Sequence, residues 1–337
     1  MPPQVLFTID ERSQVGSARR AATELALSLE FDETQTGKLG IAVTECATNI
    51  VKHAGTGRLL LRELTAAGVF GVEVLALDKG PGIADVAASL RDGHSTSGTM
   101  GSGLGALSRL SESFEIFTQA GRGTAMRLEI WAAARPPHPT PIEYGGVCLP
   151  KAGELVSGDN WGIEAFRDQI TVLVADGLGH GIEAGDASRA ALDTLAAHPR
   201  YEPQALIEAC HAAMARTRGA AVSVAKLVAS GDRGSYAGVG NIVGRIEGST
   251  ANRHLVSHNG TVGHVLRKVQ EFAFPWPKGA LLILHSDGLG THWDLSAYPG
   301  LAGRHPALIA GVLYRDYDRG RDDVSVVVLR NCGESVE

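Results

Sequence analysis

Residues 45–53, ECATNIVKH, decide the fold of the first half of the chain. Spacings of four residues put Glu45, Asn49 and His53 on one face of a helix that we predict over residues 37–53. A carboxylate, an amide and a third polar group in a row can bind a hydrated Mg²⁺ and activate a hydroxyl. A solvated polar helix face fits the same pattern, so this helix needs support from elsewhere in the chain.

Two glycine-containing loops supply that support. The first, DKGPG at residues 78–82, follows an apolar run, and its Asp78 can accept a hydrogen bond from the amino group of a base. The second, SGTMGSGLG at residues 97–105, opens a predicted helix, where backbone N–H groups suit phosphate. Either loop alone would be a tight turn or a linker. The three pieces together, in this order, indicate a nucleotide site.

The order E-x-x-x-N, D-x-G-x-G, G-x-G-x-G and then Gly123-Thr124 resembles the GHKL (Bergerat-fold) ATPases. Within that superfamily, residues 5–131 are most similar to the RsbT-type serine kinases of bacterial stress-response switches. The resemblance implies ATP with Mg²⁺ as cofactor, Glu45 as general base towards a protein hydroxyl, and Asn49 as the Mg²⁺ ligand. The implied nucleotide contacts are Asp78, Gly80 and Gly82 at the adenine, Thr124 near it, and a phosphate lid of Gly101, Gly103, Leu104 and Gly105.

The sequence RPPHPTP at residues 135–141 divides the chain, because four prolines in seven residues interrupt both helices and central strands. We therefore predict an α+β protein of two domains, 1–134 and 142–332, joined by a Pro-rich linker at 135–141. The GHKL resemblance implies an α/β sandwich for the first domain, with helices on one face of a mixed sheet.

Acidic residues recur at the ends of apolar strands in the second domain. They stand in the segments SGD at 157–159, VADGLGHG at 174–181, HSDG at 285–288 and RDDVS at 321–325. Carboxylates that meet at one edge of a sheet repel one another unless cations neutralise them. Hard cations such as Mg²⁺ or Mn²⁺ suit oxygen ligands, and two of them can position and deprotonate a water for attack on a phosphate ester. Asp-Gly is also a common hairpin signal, so any single segment could be an ordinary turn.

The segments VADGLGHG and RDDVSVVVL resemble the PPM phosphatases of the SpoIIE/RsbX branch, over residues 142–331. The resemblance implies an α-β-β-α sandwich with two Mn²⁺ or Mg²⁺ ions, and it makes Asp176 the catalytic bridge between them. The implied metal ligands are Asp159, Asp176, the Gly177 carbonyl, Asp287 and Asp322. Asp323 is a weaker candidate, and no counterpart of the phosphate-binding arginine of many relatives is identifiable.

Other features of the sequence carry less information. His180 is expected to pack or cap the following helix, His285 to lie on a strand face, and the four tryptophans to fill core or surface. The charged loop at residues 315–323 is typical of a solvated segment, and contact of its arginines with phosphate is the less favoured alternative. These residues are therefore not assigned to either site.

Composition narrows the function further. The formal net charge of −6 argues against a nucleic-acid groove, and the four scattered cysteines form neither a zinc motif nor a disulfide framework. With no signal segment and no membrane-spanning apolar run, we expect a cytoplasmic protein without membrane contact. A homodimer is compatible with the sequence.

These patterns predict a bifunctional signalling switch. The first domain would phosphorylate a serine or threonine of a STAS-domain or sigma-regulatory partner, and the second would remove phosphate from a phosphoserine or phosphothreonine. The main alternative makes the first domain a non-catalytic, ATP-dependent module that binds a partner or sigma factor, with the phosphatase as the only enzyme. ATP-driven conformational machinery is a third alternative, weakened by the absence of transducer and dimerisation domains.

Overall fold

The computed structural model describes residues 4–90, 103–135, 141–166, 169–248 and 252–333. These residues form two units. One holds the described residues up to 135 together with the segment Ser296–Arg304, and the other holds the remainder. Most of the proline-rich linker lies outside the described residues, so the domain boundaries drawn from the sequence stay a prediction.

In the first unit, pairs of helices and pairs of strands follow one another after the first strand. Its strands are β1 Val5–Ile9, β2 Gly57–Ala66, β3 Val69–Asp78, β4 Ser113–Gln119 and β5 Gly123–Trp131. Its helices are α1 Arg12–Ser28, α2 Glu33–Asn49, α3 Val86–Leu90 and α4 Leu104–Leu110, with a π-helical turn at Ile50–Ala54. The helix predicted at 37–53 therefore begins four residues earlier, where Asp32 caps its N-terminus by accepting a hydrogen bond from the Gln35 N–H at 2.7 Å.

The five strands form one sheet in the order β1-β2-β3-β5-β4. Every described pair is antiparallel, so the expectation of a mixed sheet is wrong on this point. The cause is local. β2 and β3 are joined by Ala67-Gly68, both at positive φ as a tight two-residue hairpin requires, and β4 and β5 are also joined by a short connection.

The helices cover one face of this sheet. Small residues of α1 (Ala18, Ala22 and Ala26) and the apolar stripe of α2 are fully buried against strand residues such as Leu59 and Val74. The alanines allow the helices to approach closely, and the strands contribute every second side chain to the same core. The polar face of α2 takes no part in this core.

The second unit contains ten strands and three α-helices within its described residues. Its strands are β6 Ile142–Leu149, β7 Asp159–Phe166, β8 Gln169–Gly177, β9 Ala220–Val228, β10 Arg233–Val239, β11 Val243–Glu247, β12 Arg253–Leu255, β13 Phe272–Pro275, β14 Leu281–His285 and β15 Val324–Asn331. Its helices are α5 Ile182–Ala197, α6 Pro203–Ala213 and α7 Pro306–Tyr317.

These strands build two antiparallel sheets, in the orders β13-β10-β9-β8-β7 and β12-β11-β14-β15-β6. A core that includes Trp161, Trp276 and Leu284 lies between the sheets, and a second core lies between the first sheet and helices α5 and α6. Helix α7 packs on β6 and β15 of the other sheet. The four layers confirm the α-β-β-α sandwich.

Among the described residues, no helix combines the length and the apolar character needed to cross a membrane. The four cysteines are free thiols, and Cys46 and Cys210 are buried. Burial raises the pKa of both thiols to about 12, which keeps them protonated and unreactive at neutral pH.

Candidate functional sites

The polar face of α2 holds the first candidate residues. Glu45 and Asn49 are both partly buried and lie one turn apart on the same α-helix. The α-helical register ends at Asn49, and His53 lies in the π-helical turn with an exposed side chain. The regular spacing of four therefore relates Glu45 to Asn49, and His53 belongs to a turn of wider pitch.

Asp78 stands at the end of β3, where the chain leaves the sheet. Its Oδ1 accepts hydrogen bonds from the Gly80 N–H at 2.8 Å and the Thr124 N–H at 3.2 Å. Gly82 has φ +77°, and a Cβ there would lie 2.6 Å from the Gln119 carbonyl oxygen, so the loop accepts only glycine at this position. The structure thus brings Asp78, Gly80, Gly82 and Thr124 together, although they come from two separate parts of the chain.

A threonine pair fixes this loop against the β4–β5 hairpin. Thr118 Oγ1 accepts a hydrogen bond from the Ile83 N–H at 2.9 Å and lies 3.2 Å from Thr124 Oγ1. Sequence reasoning missed Thr118, because its partner Ile83 is 35 residues away and no local motif marks the contact.

The predicted phosphate lid is described in part. Gly101 lies outside the described residues. Gly103 precedes α4, and Leu104 and Gly105 form its first turn with both residues buried. Leu104 packs into the core of the first unit, so it has a structural role whatever the nucleotide does.

The second candidate site is centred on a strand pair. Asp159 begins β7 and faces Asp176 directly across the antiparallel register with β8. A backbone hydrogen bond next to this pair also joins the two strands, since the Gly177 N–H donates to the Gly158 carbonyl at 3.1 Å. Two carboxylates are therefore held side by side by the sheet itself.

The electrostatics of this pair favour the binding of a cation. Burial, and then the charges of Asp287, Asp322 and Asp323, raise the pKa of Asp176 from its ordinary 3.8 to about 7. Burial and the charge of Asp176 raise the pKa of Asp159 well above its ordinary value, and its Oδ2 is buried without a hydrogen-bond partner in the described part of the chain. Carboxylates in such surroundings are stabilised by a cation.

The donor set fits a hard divalent cation. Every candidate ligand is a carboxylate or carbonyl oxygen, as Mg²⁺ and Mn²⁺ prefer. The Asp159 Oδ2, which has no hydrogen-bond partner in the described part of the chain, can coordinate such a cation. Within the described residues, however, no three His, Cys, Asp or Glu side chains are already arranged around a common metal position. The ligand assignment therefore stays a prediction.

Asp323 has a different role from its neighbour Asp322. Its Oδ1 accepts the Lys151 N–H at 2.8 Å and its Oδ2 accepts the Gly158 N–H at 2.9 Å. Asp322 is exposed and uses Oδ1 to accept the Asp323 N–H at 3.0 Å. Both oxygens of Asp323 are thus committed to backbone, and it acts as an anchor for the strand that begins at Asp159.

Asn241 is a further residue of this site. Its Nδ2 donates to Asp287 Oδ2 at 2.7 Å and so orients that carboxylate. Its position in a Gly-Asn pair between β10 and β11 is typical of a turn, so no signal in the sequence distinguishes it.

The residues that sequence analysis left unassigned have structural partners. His180 Nδ1 lies 2.6 Å from Glu154 Oε1, and His285 is buried and accepts a hydrogen bond from the Trp293 indole at 3.2 Å. The tryptophans at 131, 161, 276 and 293 are all buried. The interpretation of the tryptophans as packing residues is confirmed.

Comparison with known proteins places both sites in a class. Residues 7–130 match the family model of the histidine kinase-like ATPase domain. The first module, residues up to 135, is thus a GHKL ATPase module, and it is joined in one chain to a second module that is similar to a phosphoserine phosphatase. Serine/threonine-protein kinase RsbT of Bacillus subtilis (strain 168) is 34% identical over 115 residues, which cover 34% of this chain and 86% of the relative. This chain belongs to the RsbT family of histidine kinase-like ATPases through its first module.

The second module has relatives of its own. Phosphoserine phosphatase RsbX of Bacillus subtilis (strain 168) is 28% identical over 144 residues, covering 42% of this chain and 72% of the relative. The crystal structure of RsbX in complex with magnesium aligns at TM-score 0.50 with 23% identity, over 58% of this chain and 97% of that one. A structure from work on the bacterial stressosome aligns at TM-score 0.53 with 25% identity, over 56% of this chain and 99% of that one.

Proposed function

We propose that this chain is a bifunctional partner-switching enzyme, with an ATP-dependent protein serine/threonine kinase in the first module and a metal-dependent phosphoprotein phosphatase in the second. The observation that carries the proposal is the presence of two separate constellations in one chain. Asp78, Gly80, Gly82 and Thr124 form the first constellation. The second is centred on Asp159 and Asp176, which face each other across the β7–β8 strand pair. The similarity to RsbT and RsbX supports the pairing of these opposite activities.

In the kinase module, some residues would bind the nucleotide and another would carry out the proton transfer. Asp78 is held by two backbone N–H groups and can accept a hydrogen bond from the adenine amino group. Asn49 would hold the Mg²⁺ that accompanies ATP, and the glycines at 101, 103 and 105 would cover the phosphates. Glu45, one helical turn before Asn49, would take the proton from the hydroxyl of the partner's serine or threonine.

In the phosphatase module, Asp159, Asp176, the Gly177 carbonyl, Asp287 and Asp322 would hold two Mn²⁺ or Mg²⁺ ions. Bound there, the ions would supply an activated water and neutralise charge on the phosphate ester. The chain itself fixes the ligands. β7–β8 pairing sets Asp159 beside Asp176, Asn241 orients Asp287, and Asp323 anchors the segment that leads into Asp159.

The similarity to stress-switch proteins supports a protein substrate. We propose a STAS-domain or sigma-regulatory protein as the target of both activities, in the bacterial cytoplasm. A net charge of −6 supports a protein partner over a nucleic acid.

Transfer of radiolabelled γ-phosphate from ATP·Mg²⁺ to purified STAS-domain proteins tests the proposal. The Asp176→Asn variant is used so that label, once transferred, stays on the acceptor. We expect label on a serine or threonine, its loss when wild-type protein and Mn²⁺ are added, and no transfer by an Asp176→Asn, Glu45→Gln double variant.

Two results would contradict parts of the proposal. ATP binding without label on any acceptor would favour the alternative in which the first module only binds a partner. Persistence of label in the presence of wild-type protein and Mn²⁺ would remove the phosphatase from the proposal.

A further inference from the structure

A pocket of about 460 Å³ opens beside the candidate metal ligands of the second module. Its lining consists of Asp287, Gly288, Arg319, Arg321 and Asp322. Two candidate ligands thus share one cavity with two arginines from the loop between α7 and β15. The sequence favours a solvated loop here, with phosphate contact by its arginines as the alternative, and the contacts of the two guanidinium groups decide between these interpretations.

Backbone contacts hold this loop at the metal site. The Arg319 N–H donates to the Gly288 carbonyl at 3.0 Å, and the Gly290 N–H donates to the Tyr317 carbonyl at 2.8 Å. A Cβ at Gly288 would lie 2.0 Å from the Asp323 carbonyl oxygen, so the two chain segments touch through a glycine. The arginines are therefore carried by backbone whose position relative to Asp287 is fixed.

The guanidinium groups themselves have no assigned structural task. Arg319 and Arg321 are exposed, and neither side chain makes a hydrogen bond or ion pair with any residue in the described ranges. Arg315, four residues before Arg319, instead pairs with Asp316 at 2.8 Å. Asp287, which lines the same pocket, takes its hydrogen bond from Asn241 rather than from either arginine. The two cations thus stay available to a ligand.

Charge balance indicates what that ligand is. The four candidate ligand carboxylates would be neutralised by two divalent cations, which leaves no positive charge for an incoming anion. A phosphate monoester carries close to two negative charges at neutral pH. Two guanidinium groups at the pocket would supply the matching positive charge, in the forked geometry that binds phosphate oxygens bidentately.

We infer that Arg319 and Arg321 are the phosphate-binding residues of the phosphatase site, and that they bind the phosphate group of a phosphoserine or phosphothreonine. The inference rests on the proposed phosphatase function and adds to it the groups that receive the substrate. Its ligand is the phosphate dianion itself, not an acidic side chain that flanks the phosphorylated residue.

The test uses the full chain with Mn²⁺ and three probes: inorganic phosphate in a calorimetric titration, p-nitrophenyl phosphate, and a phosphoserine peptide in steady-state hydrolysis. The variants are Arg319→Gln, Arg321→Gln, the double variant, and both Arg→Lys changes. Arg267→Gln is the matched control, since Arg267 is an exposed arginine of the same module outside the pocket. Unchanged thermal unfolding of each variant shows that folding is intact.

We expect each Arg→Gln change to weaken phosphate binding and raise KM for both substrates by about tenfold, the scale of one lost charge-assisted hydrogen bond. The value of kcat should change less than KM, the lysine variants should recover part of the loss, and Arg267→Gln should match wild type. A double variant that binds phosphate as wild type does would overturn the inference. A rise in KM confined to the peptide would also overturn it, since the arginines would then contact peptide and not phosphate.

The titration separates this inference from the proposed function. If the wild-type chain hydrolyses neither substrate yet binds phosphate through the arginines, the phosphatase proposal fails and the anion site stands. If hydrolysis is normal and insensitive to both arginines, the function stands and the inference fails.

Discussion

Replacement of Asp176 by Asn should stabilise the metal-free protein. The pKa of Asp176 is raised to about 7, first by burial and then by the charges of Asp287, Asp322 and Asp323. A carboxyl group whose pKa is higher in the folded than in the unfolded chain makes folding less favourable when it ionises. Asparagine keeps the size of the side chain and removes that charge.

The size of the effect follows from the shift. Moving a pKa from 3.8 to about 7 is roughly three pKa units, or about 4 kcal/mol at most, because one unit corresponds to about 1.4 kcal/mol. Part of this energy belongs to the pair with Asp159, so we expect a gain of about 2 kcal/mol at pH 8. The penalty is absent below about pH 4, where the carboxyl is protonated in both states, and it grows to its full value above about pH 7.

Urea unfolding in the presence of EDTA measures this gain. The signal is tryptophan fluorescence, to which the second unit contributes Trp161, Trp276 and Trp293. With saturating Mg²⁺ the order should reverse, because wild type gains binding energy that the variant lacks. Asp193→Asn, at an exposed position on α5, is the control and should change stability by less than about 0.5 kcal/mol. A variant that is no more stable than wild type at pH 8, or a gain that is equal at pH 4 and pH 8, would refute the reasoning.

Three further predictions concern single side chains. Asp78→Asn keeps an oxygen for the backbone N–H groups but loses the charge, so ATP affinity measured by calorimetry should fall at least about tenfold, with Asp10→Asn unchanged; equal affinity would remove Asp78 from the nucleotide site. Asn241→Ala releases Asp287 and should weaken Mn²⁺ binding by about tenfold in a titration, and an unaltered Kd would show that the 2.7 Å hydrogen bond does not orient a ligand. Asp323→Ala leaves one buried and one partly buried N–H group unpaired and should cost about 2–4 kcal/mol in urea unfolding with or without metal; a cost seen only with metal would make Asp323 a ligand after all.

The sequence predicted secondary structure best where the hydrophobic pattern and the turn-forming residues at the ends of a segment agree. Apolar runs beside Asp or Gly at residues 69–77, 170–175 and 324–329 predict three strands, and β3, β8 and β15 match these ranges to within two residues. Helix α7 escaped prediction because ten of its twelve residues are buried, so it has no polar face to give a period of 3.6. Short strands such as β12 carry too few residues for any pattern.

The candidate sites were predictable in their residue types but not in their connections. The order of glycines and acids indicated Asp78 and Asp176, since each follows an apolar strand. The contacts of Asn241 with Asp287 and of Thr118 with Ile83 depend on long-range chain packing, which one sequence does not reveal. The resemblance ranked Asp323 below Asp322 as a ligand, but only the fold shows that Asp323 accepts hydrogen bonds from two backbone N–H groups.

The pair Asp322 and Asp323 illustrates how one acidic dipeptide can be under two selective constraints. Asp322 is exposed at the pocket, whereas Asp323 joins the segments at Lys151 and Gly158 through its two oxygens. A lineage that abandoned catalysis but kept the module for binding could discard the first carboxylate and would still need the second. Among descendants of such a gene, we therefore expect substitutions to accumulate at the position of Asp322 while the position of Asp323 stays acidic, and an alignment would record the loss of enzymatic function one residue away from the residue that preserves the fold.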